Sequence, residues 1–225
     1  RTNVATSPHA LHGVIMTDYP AIERQCRRNN RYSETLVDGF LLDYCDERDD
    51  TVRDLVRGLD KYRDVVAELP EHWFGHITAQ YLGFRLFREK GLARKYRGHA
   101  AVWQRSGDEL EWLDRQLAEP WRFCFCRILQ QPRRDFHQMQ DVCTGEKFLM
   151  YSPAMSRGIE DLQGWPALSL ILMNSNDTCR ETYGPLLHFK GLYPGDLVFF
   201  ARQLQSTIRR QDEVPAVIDL SLIHI

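Results

Sequence analysis

The sequence lacks most of the signatures that assign a protein to a class at sight. No two of its 6 cysteines (Cys26, Cys45, Cys124, Cys126, Cys143 and Cys179) stand in a Cys-x-x-Cys pair, the spacing used by structural zinc sites and redox motifs. The chain is also far longer than the small secreted domains that cysteines staple together, so reduced thiols in a cytosol are the expected state. No apolar run approaches the roughly 18 residues of a membrane span, and no membrane partner is expected. The first residues, Arg1-Thr-Asn-Val-Ala-Thr-Ser-Pro8, carry no apolar core of a secretory signal. An excess of one charge is missing too. The formal net charge of −2 argues against a protein that coats nucleic acid through its overall field. There is no internal repeat, no low-complexity linker and no recognisable catalytic motif.

What is present is an ordinary globular composition, 43% hydrophobic and 27% charged over 225 residues, enough for one large domain or two small ones. Its periodicity changes once. Residues 1–119 read as helical. Tyr19-Pro20 opens a first helix that Asn29-Asn30 is expected to stop, and Ser33 then caps a second. Val52, Leu55, Val56, Leu59, Tyr62, Val66 and Leu69 recur at three- and four-residue steps up to Pro70. Helices over 71–90 and 93–104 follow, and Ser106-Gly-Asp-Glu109 is a capping-box pattern ahead of another. From Pro120 to Asp219 the chain reads as β-rich. Strands are expected at 122–129, 136–142 and 146–151, the last two joined through Gly145, and further ones at 167–173, 179–183, 186–190 and 197–204. About seven short strands imply an α+β protein, an N-terminal helical bundle followed by a C-terminal antiparallel β barrel or sandwich.

Within 121–204, Asp141-Val-Cys-Thr-Gly-Glu146, a following apolar strand, and Pro194-Gly-Asp-Leu-Val-Phe-Phe-Ala-Arg202 resemble a small β module. That module occurs in bacterial proteins carrying the zinc motif first described at the C-terminus of the SecA translocase motor (SEC-C). The resemblance implies an accessory protein and supplies no catalytic residues. Leu220-Ser-Leu-Ile-His-Ile225 resembles the read-through of a sequencing adaptor, so 220–225 is expected to be a non-native tail of a fragment whose native chain continues past Asp219. No cofactor is expected from the residues present. Zinc enters only if a Cys/His motif follows Asp219.

Several groups can carry chemistry. His72 and His76, four apart on a helix, can share a metal, although Trp73 stands where a zinc protease has its Glu. The plainer account is two partly exposed histidines near a helix start. Cys124 and Cys126 share one face of a strand, and with Cys143 or Cys179 would form a thiol cluster; otherwise they are core packing. Cys143 beside His137 or His188 would make a nucleophile and base. Asp141 and Glu146 would make a carboxylate pair, unless Asp141 stabilises its own turn. Between Arg85 and Arg105 seven cations (Arg85, Arg88, Lys90, Arg94, Lys95, Arg97, Arg105) face one acid, with Tyr96 and Trp103 interleaved. Arg88, Arg94, Lys95, Arg97 and Trp103 are the expected nucleic-acid contacts. The acidic stretch Asp43–Asp54 offers internal pairing instead. The leading expectation is an intracellular, non-catalytic accessory or binding protein, with protein or nucleic acid as partner. The alternatives are an enzyme using a Cys–His pair or bound metal, and a nucleic-acid binder.

Overall fold

In the computed structural model, which describes residues 17–223 except Leu69 and Asp177, the Asp18 carboxylate accepts from the Ala21 N–H and opens helix α1 (Tyr19–Tyr32). The Ser7-Pro8 loop lies outside the described residues. Asn29-Asn30 does not stop α1, and Ser33 does not N-cap a second helix but continues the first, its backbone N–H bonded to the Asn29 and Asn30 carbonyls. The helix continues through a π-helical stretch (Ser33–Leu41) into α2 (Leu42–Asp49). The reason is tertiary: the Asn29 amide donates to buried Glu181 at 3.0 Å, so a residue with poor helix propensity finds its partner without leaving the helix. The wider π turn buries Leu36, Val37 and Leu41 while Asp38 accepts from Tyr183 Oη.

The break comes at Asp50, in the left-handed region at φ 51°. Asp46 reaches across it, accepting from Thr51 Oγ1 and the Val52 N–H, and so caps α3 (Thr51–Leu59). A 3-10 turn (Asp60–Tyr62), α4 (Arg63–Glu68) and α5 (Glu71–Phe87) follow. The expected helix over 93–104 is two short ones, α6 (Leu92–Tyr96) and α7 (Ala100–Trp103). The capping box at Ser106 forms as read, starting α8 (Gly107–Ala118).

Five strands, not seven, make the second part: β1 (Arg122–Arg133), β2 (Phe136–Asp141), β3 (Lys147–Tyr151), β4 (Leu168–Asn176) and β5 (Cys179–Phe189). They close in the order β1-β2-β3-β5-β4, so the architecture is a barrel and not a sandwich. All pairs are antiparallel except the seam, where β3 meets β5 in parallel at Met150 and Arg180. The stretches 179–183 and 186–190 are one strand, because Gly184 takes φ 71° and the ladder shifts register there. Helix α9 (Pro153–Leu162) joins β3 to β4, where the sequence reading had only a strand break. Its Met155 packs with Cys124, Cys126, Ile128, Met139, Phe148, Met150, Ile171 and Met173, a barrel interior rich in sulfur. The result is a small closed barrel with a helix between its third and fourth strands; topology alone assigns no function.

The stretch 197–204 is not a strand. Pro194–Leu204 is helix α10, and α11 (Val214–Ile223) lies beyond it. Residues 220–223 form the last turn of α11; His224 and Ile225 lie outside the described residues.

Helices and barrel share one core. Leu36, Phe84, Phe87, Trp112 and Leu113 pack with Trp121, Phe123, Leu172 and Tyr183. The closest approach is at Gly83 in α5, where a Cβ would stand 2.5 Å from Tyr183 Cδ1 and 3.0 Å from Leu172 Cδ2. The Tyr183 ring cannot yield, being tied to Asp38 through its hydroxyl and packed 5.1 Å from the Trp121 ring. Gly83→Ala is therefore expected to lose about 1–2 kcal/mol in urea denaturation, the cost of overpacking exceeding a helix-propensity gain of about 1 kcal/mol. Gly75→Ala in the same helix, with nothing within 4 Å, is expected to gain roughly 0.5–1 kcal/mol. Equal effects at both positions would show that α5 does not pack this closely.

Candidate functional site

The basic stretch is largely engaged by the protein itself. Lys95 and Tyr96 both bond Asp49, Arg97 makes a two-bond pair with Asp114 at 2.6 and 2.7 Å, and Arg85 lies 3.8 Å from Asp54. Arg94 donates to the Leu117 carbonyl, and the Arg88 guanidinium sits 5.9 Å from the centre of the Phe84 ring. Trp103 is well exposed, with the Arg97 guanidinium over its ring. The acids of 43–54 thus provide part of the pairing that the sequence offered as the alternative.

The His72 and His76 rings stand 5.4 Å apart on α5. Among the described residues, no third His, Cys, Asp or Glu joins them to complete a metal-ligand group. The proposed thiol cluster is divided. Cys124 and Cys126 point into the barrel, whereas Cys143 packs outside it with Leu197, Ala201 and Val217. Burial pushes the Cys143 thiol up to about 12, the opposite of an activated nucleophile. The two histidines offered as its base bond serines instead: His137 Nε2 meets Ser156 Oγ at 3.3 Å and His188 Nδ1 meets Ser169 Oγ at 2.9 Å. Burial lowers both imidazoles.

Asp141 serves its turn. Its Oδ1 accepts from the Cys143 and Thr144 N–H groups, while Oδ2 takes the Arg122 guanidinium at 2.7 Å. From there an ion-pair ladder runs along the barrel mouth. Arg122 also binds Glu146 at 2.8 Å, Glu146 binds Arg180, and Arg180 binds Glu119. Glu119, Glu146 and Arg180 edge a polar cleft of about 400 Å³ over the parallel seam, lined further by Asn176, Thr178 and Cys179. Behind it lies a group that no sequence spacing announced. Cys26 from α1 brings its sulfur 3.4 Å from that of Cys179, and the Asn176 amide donates to both sulfurs and to Glu181.

A second cavity is apolar. About 480 Å³ of groove runs between α10, α11 and the outer face of β1, walled by Phe125, Phe189, Leu192, Leu197, Val214 and Val217. Along it Tyr193, Phe199, Phe200 and Leu204 are each more than half exposed. Compared with protein-family models, curated proteins and solved structures, the chain matches none. Of the two segments that carry the SEC-C-type resemblance, the second forms helix α10 and not a strand of a β module, and Cys143 of the first packs against its Leu197 and Ala201. Periodicity held a signal for it, since Leu197, Phe200, Ala201 and Leu204 recur at helical spacing and line the groove together, leaving Phe199 on another face.

Proposed function

We propose that this chain is a non-catalytic accessory module that binds a partner protein by receiving an amphipathic helix along the groove between α10 and α11. One observation carries the reading. Helix α10 buries only Leu197 and Ala201, leaves Phe200 and Leu204 more than half exposed in the wall of an apolar groove, and leaves Phe199 in water beside it. Contiguous exposed apolar surface of this kind marks interaction sites, and covering a large apolar side chain contributes about 1.5–3 kcal/mol. A small ligand could fill the groove yet would leave Tyr193 and Phe199 uncovered. An amphipathic helix covers groove and ridge together. The nucleic-acid alternative draws less from the geometry, because Lys95 and Arg97 are already held by Asp49 and Asp114.

The test is a photo-crosslinking residue at position 199 in cells of the source organism, with the same residue at exposed Glu47 as control. The expected products are peptides from one other protein, with apolar residues at helical spacing, seen at 199 and not at 47. Phe199→Ser combined with Leu204→Ser is expected to cut capture of that protein at least tenfold. Crosslinks only to this chain, its own or a second copy's, would overturn the reading, as would equal capture at position 47.

A further inference from the structure

Cys26 and Cys179 are the closest pair of thiols that the fold assembles across elements, with sulfurs 3.4 Å apart and both residues buried. Their surroundings differ. Cys26 is fully enclosed, in a cluster with Ile22, Phe136 and Tyr151. Cys179 lines the polar cleft edged by Glu119, Glu146 and Arg180. The Asn176 amide donates to Cys26 at 3.1 Å and to Cys179 at 3.4 Å, so a hydrogen-bond donor already faces any thiolate formed there. Next to the pair, Glu181 is buried: its Oε2 accepts from Asn29 and Asn176, and its Oε1 has no hydrogen-bond partner. Loss of solvation raises this carboxyl above its ordinary value, against the hydrogen bonds from Asn29 and Asn176 that lower it.

We propose that Cys26 and Cys179 form a redox-modification site, in which a peroxide entering the cleft oxidises Cys179 and Cys26 resolves the product to a disulfide joining α1 to β5. The Cys179 thiolate attacks one peroxide oxygen, the O–O bond breaks, and the departing hydroxide takes the thiol's proton as water. The resulting sulfenic acid is then attacked by the Cys26 sulfur. A sulfur–sulfur bond forms, the sulfur–oxygen bond breaks, and hydroxide leaves with the Cys26 proton as a second water. One peroxide is reduced and two thiols are oxidised. The sulfurs need close by only about 1.4 Å, from 3.4 Å, to reach disulfide length, roughly 2.05 Å. The order of attack follows from access: Cys26 is fully enclosed while Cys179 lines the cleft. The hydrogen bond with Cys179, with burial behind it, raises the Cys26 thiol above its ordinary value, which disfavours a first attack from Cys26. The other cysteines lack this arrangement. Cys124 and Cys126 are enclosed in the barrel, and Cys45 and Cys143 belong to two other clusters.

A disulfide here would span 153 residues of sequence and hold the first helix to the barrel, removing much of the freedom of the unfolded chain. The inference stands apart from the helix-binding groove, which lies on the α10–α11 face, so either can fail alone. The experiment treats the full chain with hydrogen peroxide, blocks remaining thiols with iodoacetamide, and maps peptides without reduction. The expected result is a Cys26–Cys179 crosslinked peptide, two fewer thiols in the denatured protein, and a melting temperature higher by about 10 °C that dithiothreitol reverses. In Cys26→Ser the same treatment is expected to drive Cys179 to sulfinic acid. Cys179 over-oxidised in the wild type without a crosslink, a disulfide through any other pair, or six intact thiols would each overturn the proposal. The wild-type peptide map decides it even if a variant fails to fold.

Discussion

Replacing Asp141 with alanine is expected to destabilise the protein by about 2–4 kcal/mol, since two backbone N–H groups lose their acceptor, at about 1–3 kcal/mol for a buried group left unsatisfied, and a half-buried ion pair is broken. For a chain of this length that is a fall in melting temperature of roughly 10 °C. The carboxylate is almost wholly enclosed, while Arg122 opposite it keeps about a third of its side chain in solvent. Its removal strips the Cys143 and Thr144 N–H groups of their acceptor and leaves Arg122 with Glu146 alone. Asp141→Asn keeps an oxygen for the turn and gives up only the charge, so a smaller loss is expected. Acid titration separates the two contributions. Burial pushes the Asp141 carboxyl up, but Arg122 and the two backbone N–H groups outweigh it and hold it below the ordinary value. A carboxyl depressed in the folded state contributes stability that is present above its unfolded value, near 3.9, and is lost as pH falls through the folded one. The asparagine variant is therefore expected to show its deficit at neutral pH and to approach the wild type as both are acidified. A wild-type melting temperature for Asp141→Ala, or a deficit for Asp141→Asn that does not shrink in acid, would remove the ion pair from the account of stability.

That Asp141 belongs to a turn was legible because the information is local: Asp, then Thr-Gly three residues on, with Gly145 at φ 79° where the turn needs it. The Ser106 capping box was legible for the same reason. Failures came where one local pattern serves two structures. Ser152-Pro153 was read as the end of a strand, yet a serine followed by proline is equally an N-cap and first helical residue, and Ser152 Oγ accepts from the Met155 N–H to start α9. Pro194-Gly-Asp196 fits a turn into a strand equally well. The same Asp accepts from the Tyr193 N–H at 2.8 Å and caps α10 instead.

The remaining surprises are non-local. Nothing near Asn29 in sequence indicates Glu181, which keeps α1 intact. The parallel seam between Met150 and Arg180 depends on the barrel closing. Cys26 and Cys179 become neighbours only because α1 lies across that seam. The candidate sites divide along the same line: lone residue spacings, as at His72 and His76 or Cys124 and Cys126, did not indicate which groups would meet across elements.

Trp121 tests whether helices and barrel unfold as one body. It stands between α8 and β1 with its indole stacked on Phe87 at 4.0 Å, its Nε1 donating to Gln116 Oε1 at 2.9 Å, and its backbone N–H bonded to the Phe87 carbonyl. Tyr183 of the barrel packs on it from the other side. Trp121→Ala leaves a void that neither the α5 nor the β5 side chains can fill without giving up these contacts, and the expected loss is about 3–5 kcal/mol. Trp121→Phe keeps a ring against Phe87 and is expected to cost less, with the lost Gln116 hydrogen bond contributing about 1 kcal/mol. In the wild type, loss of helical circular dichroism and exposure of Cys124 and Cys126 to a thiol reagent are expected at the same denaturant concentration, because one core serves both parts. Both transitions should move together in Trp121→Ala. If thiol exposure stays in place while the helical signal shifts, the barrel folds on its own and Trp121 is a fixture of the helical part alone.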